Sequence, residues 1–147
     1  MEEKNILKPT AEEMASMKPD YEKEIASIIR SSASPVQIKD RLLDYHENDI
    51  AAALEHMSVA ERQRLYRILD IDALSEIFEY VDEEHISEYF KEMDIKKRTS
   101  VISEMDADKA VYVLRQLDKN TRDDIIELIG NDARKDISLI SSFDDLQ

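Results

Sequence analysis

The sequence predicts an all-α fold: a right-handed superhelix of short helices, about twelve residues per helical unit, in a single domain. The composition favours helices, because one glycine and three prolines in 147 residues are too few for the turns of a β-sandwich or a barrel. Two further observations point the same way. A capping residue recurs every twelve positions, and apolar residues follow it at helical spacing.

The recurring residue is most often an aspartate. It occupies five positions at steps of twelve: Asp70, Asp82, Asp94, Asp106 and Asp118. Ser34, His46 and Ser58 continue the series toward the N-terminus, and Gly130 follows it. Ser and Asp are preferred N-cap residues, because their side-chain oxygens accept hydrogen bonds from first-turn N–H groups. We therefore expect a helix of about ten residues after each of these marker residues, in nine units ending near Ser141.

The fourth, seventh, eighth and eleventh positions after a marker tend to be apolar, with exceptions such as Arg122 after Asp118. After Asp70 these are Leu74, Ile77, Phe78 and Val81. That spacing forms one face of an α-helix. A helix of about ten residues is only about 15 Å long and is marginal alone, so each unit must pack against its neighbours. The alternative is a bundle of about six or seven unequal helices with accidental phasing.

The chain divides into three parts. Residues 1–33 hold a polar tail and a leading helix, which Asp20 would cap and which would end near Arg30. Residues 34–141 form the helical-repeat domain. The final residues, SSFDDLQ, show no capping or amphipathic pattern, so we interpret 142–147 as the start of a linker to a downstream domain.

The net charge of −14, from 34 acidic and 20 basic residues, excludes several kinds of partner. It repels phosphate backbones and anionic membrane surfaces, so we expect no nucleic acid and no direct membrane insertion. The sequence contains no stretch of about 18 apolar residues, the length needed to span a bilayer. The charge favours cations or basic partners instead.

The sequence offers no catalytic residues, and we predict that the protein is not an enzyme. The absence of cysteine excludes thiolate metal sites and cysteine nucleophiles. The single glycine, Gly130, leaves no phosphate-binding loop. His46, His56 and His85 form no pair at i, i+4 spacing, and we interpret them as helix-surface residues.

Carboxylates are the remaining candidates for chemistry, although most single acids are interpreted as caps or solvated surface residues. Mg²⁺ prefers such hard oxygen ligands, but it keeps several waters and uses only one or two carboxylates. A magnesium site here would therefore be weak, and a second domain would complete it.

The segment from His46 to Met57, HENDIAAALEHM, resembles the HPxDxAxxLExL opening of the cytoplasmic N-terminal domain in magnesium transporters of the MgtE type. The next units, VAERQRLYRILD and DEEHISEYFKEMD, are similar to that family's run of short acidic helices. The resemblance covers residues 34–141. Glu47 stands where the family usually has proline, which loosens the match at one helix start.

The resemblance implies a regulatory domain on the cytoplasmic side of the cell membrane. In that family the domain precedes a pair of CBS domains and a transmembrane pore in the same polypeptide, and the whole protein is a homodimer. At high cytosolic Mg²⁺ the ions bridge acidic faces of the N-terminal and CBS domains, and the pore closes. At low Mg²⁺ the faces repel each other, and the pore can open.

Matching by repeat register, the family's bridging acids fall near Glu76 and Asp108, which the resemblance implies as weak regulatory Mg²⁺ ligands. Another family acid falls on Tyr112, so that site is incomplete or uses a different geometry. The alternative is that Glu76 and Asp108 are solvated helix-surface acids. A competing function is a protein-binding adaptor, similar to the short-helix stacks of flagellar motor switch proteins.

Overall fold

The computed structural model describes Thr10 and residues 20–130. Within this part of the chain there are nine α-helices, a 3₁₀ turn at Leu54–His56 and no strand, which confirms the predicted all-α fold. The helices, in chain order, are α1 Tyr21–Arg30, α2 Pro35–Leu42, α3 Glu47–Ala53, α4 Val59–Ile68, α5 Ile71–Phe78, α6 Glu83–Lys91, α7 Ile95–Glu104, α8 Ala107–Gln116 and α9 Lys119–Gly130.

Each marker residue from Ser34 to Asp118 directly precedes a helix, so the twelve-residue period is confirmed over eight units. Ser34 and Ser58 form capping boxes with the residues three positions later. In the second of these, Ser58 Oγ accepts the Glu61 backbone N–H at 3.2 Å and Glu61 Oε1 accepts the Ser58 N–H at 2.8 Å. Such reciprocal bonds satisfy two backbone donors at once. His46 caps α3 with its ring, because Nδ1 accepts the Asn48 N–H at 2.9 Å.

The marker aspartates do not all cap their helices through the side chain. Asp94 accepts the Lys97 N–H at 2.8 Å, and Asp118 accepts the Thr121 N–H at 2.9 Å. Asp70, Asp82 and Asp106 accept no such bond. The expected side-chain capping by the marker aspartates is therefore wrong at three of their five positions.

The helices pack mainly with the helix two positions along the chain. In the described residues α1, α3, α5, α7 and α9 contact one another in succession, while α2 contacts α4 and α6 contacts α8. Apolar side chains between these rows form one continuous core from Ile25 to Ile129. The predicted stripe after Asp70 supplies three fully buried residues, Leu74, Ile77 and Phe78. Burial of these stripes is what stabilises helices too short to persist alone.

Arginine takes the fourth, usually apolar position of three units, at Arg62, Arg98 and Arg122, and the structure shows why at the first two. Arg62 Nη1 donates to the carbonyl oxygens of Leu54 at 3.2 Å and Met57 at 2.7 Å. Arg98 Nε donates to the Phe90 carbonyl at 2.7 Å. These carbonyls lie near the ends of the preceding helical units, where the last C=O groups lack partners within the helix. The arginine therefore caps the preceding unit while its aliphatic stem lies along the core.

The two ends of the repeat differ from the rest. Helix α1 begins after Asp20 as expected, and Ile25 and Ile29 bury its apolar face in the common core. Gly130 is the last residue of α9 and does not sit in a turn like the earlier markers. The predicted tail (except Thr10), the ninth unit and the linker at 142–147 lie outside the described residues.

Candidate functional site: an acidic helical segment

Negative charge is concentrated in one stretch of the described residues. Between Asp70 and Asp94 the sequence has ten acidic residues and one basic residue, Lys91. Residues 20–69 have nine acids and seven bases, and residues 95–130 have seven of each. We call residues 70–94, which include α5 and α6, the acidic segment. The flanking stretches are close to neutral, so this segment carries most of the excess negative charge of residues 20–130.

Few acids in the acidic segment have a cationic partner. Asp70 pairs with Lys39 at 3.0 Å and Glu92 pairs with Arg62 at 2.6 Å. Most others form no ion pair with another described residue: Asp72, Glu76, Glu79, Glu83, Glu84 and Asp94. An uncompensated group of exposed carboxylates attracts cations or a basic surface.

The structure places the two predicted magnesium ligands on separate helices. Glu76 is exposed on α5, and Asp108 is exposed in the first turn of α8. Over residues 20–130, neither belongs to a group of three His, Asp or Glu residues whose ligand atoms converge. Each offers Mg²⁺ one carboxylate and leaves its other coordination positions to water or another surface. Their role as ligands stays a prediction.

Tyr112, at the position where the resembled family has an acid, turns toward the acidic segment. Its Oη donates to Glu83 Oε2 at 3.3 Å. Desolvation and the nearby Glu83 carboxylate raise the pKa of Tyr112, so the phenol stays protonated and can donate this bond. Tyr112 therefore links α8 to α6 as a neutral group and adds no charge for a cation.

A buried ion pair fastens the acidic segment to α4. The Arg62 and Glu92 side chains are only 7% and 8% exposed. Two nearly parallel bonds join them, from Arg62 Nε to Glu92 Oε1 at 2.9 Å and from Nη2 to Oε2 at 2.6 Å. Tyr66 Oη donates to the same carboxylate at 2.8 Å. Because all of its oxygens are engaged and buried, Glu92 is not available to bind an ion.

Two tyrosines complete the surroundings of this pair. The Arg62 guanidinium lies 4.7 Å from the centre of the Tyr89 ring, a distance at which the ring face attracts a cation. Burial raises the pKa of Tyr89 to about 12. Burial and the Glu92 carboxylate raise the pKa of Tyr66 well above its usual range. Both phenols therefore stay neutral, and the network has one positive and one negative charge.

Neither this network nor the uneven distribution of charge was predicted from the sequence. Arg62 carries a signal, because it stands at an apolar position of its unit. Its partner carries none, because Glu92 lies 30 residues away. The distribution of charge could have been found by counting acids and bases unit by unit, since the whole-chain value of −14 hides it.

The fold and this segment together define an acidic domain of stacked short helices. The family model for the MgtE intracellular N domain matches residues 45–145 of this chain. The match covers more than half of the chain, so the protein belongs to this family, which confirms the resemblance seen in the sequence.

A solved structure shares the fold. It is described as the soluble part of a magnesium transporter, and it superposes with a TM-score of 0.71 at 19% sequence identity. The superposition covers 86% of this chain but 48% of the other, so the chain spans about half the length of that structure. No curated protein sequence matches the chain.

No helix among residues 20–130 is both long enough and apolar enough to cross a bilayer.

Proposed function

We propose that this chain is the cytoplasmic, magnesium-sensing domain of a magnesium transporter, and that the acidic segment is its sensing surface. The observation that carries the proposal is the count of ten acids against one lysine between Asp70 and Asp94. Membership of the MgtE intracellular N domain family supports it. So does the fold shared with the soluble part of a magnesium transporter.

The mechanism is a change in the sign of the force between two acidic surfaces. Without a cation, two carboxylates about 4 Å apart repel by about 1 kcal/mol in a water-like dielectric. Several such pairs separate this domain from an acidic neighbour, which we propose to be the adjacent CBS domains. Mg²⁺ bound between the surfaces replaces the repulsion by attraction, and the equilibrium shifts toward the closed arrangement.

Weak, shared sites suit this purpose. Glu76 and Asp108 are the ligands we propose on this domain, and each would supply a single carboxylate to a largely hydrated ion. The neighbouring domain supplies the remaining ligands. A site of this kind is filled only when Mg²⁺ is abundant, which is when an uptake pore should close.

The buried Arg62–Glu92 pair lets the domain respond as a rigid body. It holds α6 against α4 from the interior. The two helices therefore keep their relative positions when cations bind at the outer surface. We propose that ion binding changes the distance between domains. The pore would lie in the same polypeptide, within a homodimer at the cell membrane.

The test is X-ray scattering by the longer polypeptide that contains this domain and its downstream neighbour. We expect the radius of gyration to fall as Mg²⁺ rises into the millimolar range. Asp108→Lys should weaken the response, whereas Asp124→Lys, a matched change at an exposed acid of α9 that is not a proposed ligand, should not. Profiles that Mg²⁺ leaves unchanged would contradict the proposal. They would favour the adaptor function if a partner protein bound without Mg²⁺.

A further inference from the structure

We propose that Glu55, Asp82 and His85 form a second metal site, which takes a first-row transition metal ion such as Zn²⁺ in preference to Mg²⁺. One ligand atom from each of the three residues lies within 4.8 Å of the other two. Glu55 belongs to the 3₁₀ turn after α3, Asp82 precedes α6, and His85 lies in its first turn. Residues about 30 positions apart thus converge on one point.

The three residues line a pocket of about 110 Å³. Asn48, Ala51 and Tyr80 line its other sides, together with Tyr89. The volume has room for an ion and several waters, since a water occupies roughly 30 Å³ in the liquid. The ligand atoms therefore surround a concave space and not a flat surface.

The carboxylates in this pocket have no other strong partner. Asp82 does not cap α6 through its side chain, unlike Asp94 and Asp118 at the equivalent positions of their units. Across residues 20–130, neither Asp82 nor Glu55 forms an ion pair with lysine or arginine. The nearest cationic candidate is His85, whose Nδ1 lies 4.0 Å from Asp82 Oδ2. Two uncompensated carboxylates beside an imidazole attract a cation.

The imidazole is held in place by its neighbour. His85 stacks on Tyr89 with 5.6 Å between ring centres and 12° between ring planes, and Tyr89 is itself buried. A ring oriented in this way loses little freedom when its nitrogen binds an ion. The ligand atoms are thus placed before the ion arrives.

The ligand set selects the ion. One imidazole nitrogen and two carboxylate oxygens suit Zn²⁺, Co²⁺ and Mn²⁺, whereas Mg²⁺ prefers oxygen ligands alone. The Irving–Williams order places Zn²⁺ and Co²⁺ above Mn²⁺. We therefore expect affinity to rise from Mg²⁺ through Mn²⁺ to Zn²⁺. This order distinguishes the site from the proposed magnesium sensor, and it does not depend on that function.

Calorimetry of the 147-residue chain with each ion tests the proposal. We expect one Zn²⁺ site, with weaker Mn²⁺ binding at the same place. Asp82→Asn and His85→Gln should each weaken Zn²⁺ binding by at least about tenfold. Loss of a residue that only supports a ligand already weakens metal binding by about that factor. Asp106→Asn is the matched control, because Asp106 also precedes a helix without capping it and asparagine caps as well as aspartate. Equal binding by all three variants and the parent chain would overturn the proposal.

The position of the ion is tested separately with Mn²⁺ as a paramagnetic probe in NMR. Amide signals near Glu55 and His85 should broaden first. Broadening centred on Glu76 or Asp108 would overturn the proposal, as would broadening centred on His46 or His56 alone. If either variant loses helical circular dichroism, Glu55→Gln provides the same test at a residue outside the helix starts.

Discussion

Two neighbouring stretches of the same helical repeat use their charges differently. In residues 20–69 the bases join distant units: Arg30 Nε lies 2.7 Å from Glu61 Oε2, and Arg64 Nη1 donates to the Ile29 carbonyl at 2.7 Å. In the acidic segment the only base, Lys91, pairs outside the segment, with Asp118 at 2.7 Å. Both stretches bury apolar side chains in the same continuous core. The core therefore sets the fold, and the exposed positions are free to carry charge of one sign.

The bases that bind the acidic segment come largely from the first stretch. Lys39 holds Asp70 at its start, and Arg62 holds Glu92 near its end. Between these two anchors lie most of the acids without a partner. This arrangement fixes the segment to the scaffold without neutralising its outer surface.

The largest expected effect comes from breaking the buried anchor. Arg62→Met leaves the Glu92 carboxylate buried without its cation, so we expect the free energy of unfolding to fall by about 3–5 kcal/mol. Urea unfolding followed by circular dichroism measures it. The double variant Arg62→Met/Glu92→Leu should recover much of the loss, because no charge is then left buried.

A matched control separates burial from pairing. Arg30→Met breaks an ion pair in which the arginine is 50% exposed, and exposed pairs contribute little. Its effect should be much smaller than that of Arg62→Met. Equal losses for the two variants would show that the Arg62–Glu92 pair is not the anchor that we describe.

A smaller effect concerns the ion pair that links the acidic segment to α9. The hydrogen bond from Lys91, assisted by the Thr121 backbone N–H, holds the pKa of Asp118 well below its usual range. A depressed folded-state pKa stabilises the protein above the unfolded value of about 3.9 and loses that contribution as the pH falls toward the depressed value. Asp118→Asn should therefore lower stability at pH 7 and have little effect at strongly acidic pH.

Urea unfolding of the parent chain and Asp118→Asn across this pH range measures the difference. Asparagine keeps the helix cap, so the change isolates the charge. A stability difference that stays constant as the pH falls would contradict the assigned pairing with Lys91.

The helices could be predicted from sequence because their signals are local. Capping residues and apolar positions recur within a single unit of twelve, and eight of the predicted helix starts are where the markers place them. Two features escaped because they join distant residues: the Arg62–Glu92 pair, and the convergence of Glu55 with Asp82 and His85. Periodicity fixes which face a residue occupies, but not which distant side chain meets it there.

The two proposed Mg²⁺ ligands were predicted from a different kind of signal. Glu76 and Asp108 came from a resemblance in repeat register, and both are exposed as a bridging ligand must be. Exposure alone does not distinguish a ligand from a solvated acid. A bridging ligand is defined by the groups that meet it across a domain boundary, and a pattern within one helix does not encode those groups.

Removing charge from the acidic segment alone tests whether this surface senses Mg²⁺. In the longer polypeptide, Asp72→Asn, Glu76→Gln and Glu84→Gln together neutralise three exposed acids there, and Asp123→Asn, Asp124→Asn and Glu127→Gln neutralise three exposed acids of α9 as the control. The measurement is the radius of gyration against Mg²⁺ concentration. We expect the first variant to lose the Mg²⁺-dependent compaction and the second to keep it. Equal Mg²⁺ responses in the two variants would contradict this expectation.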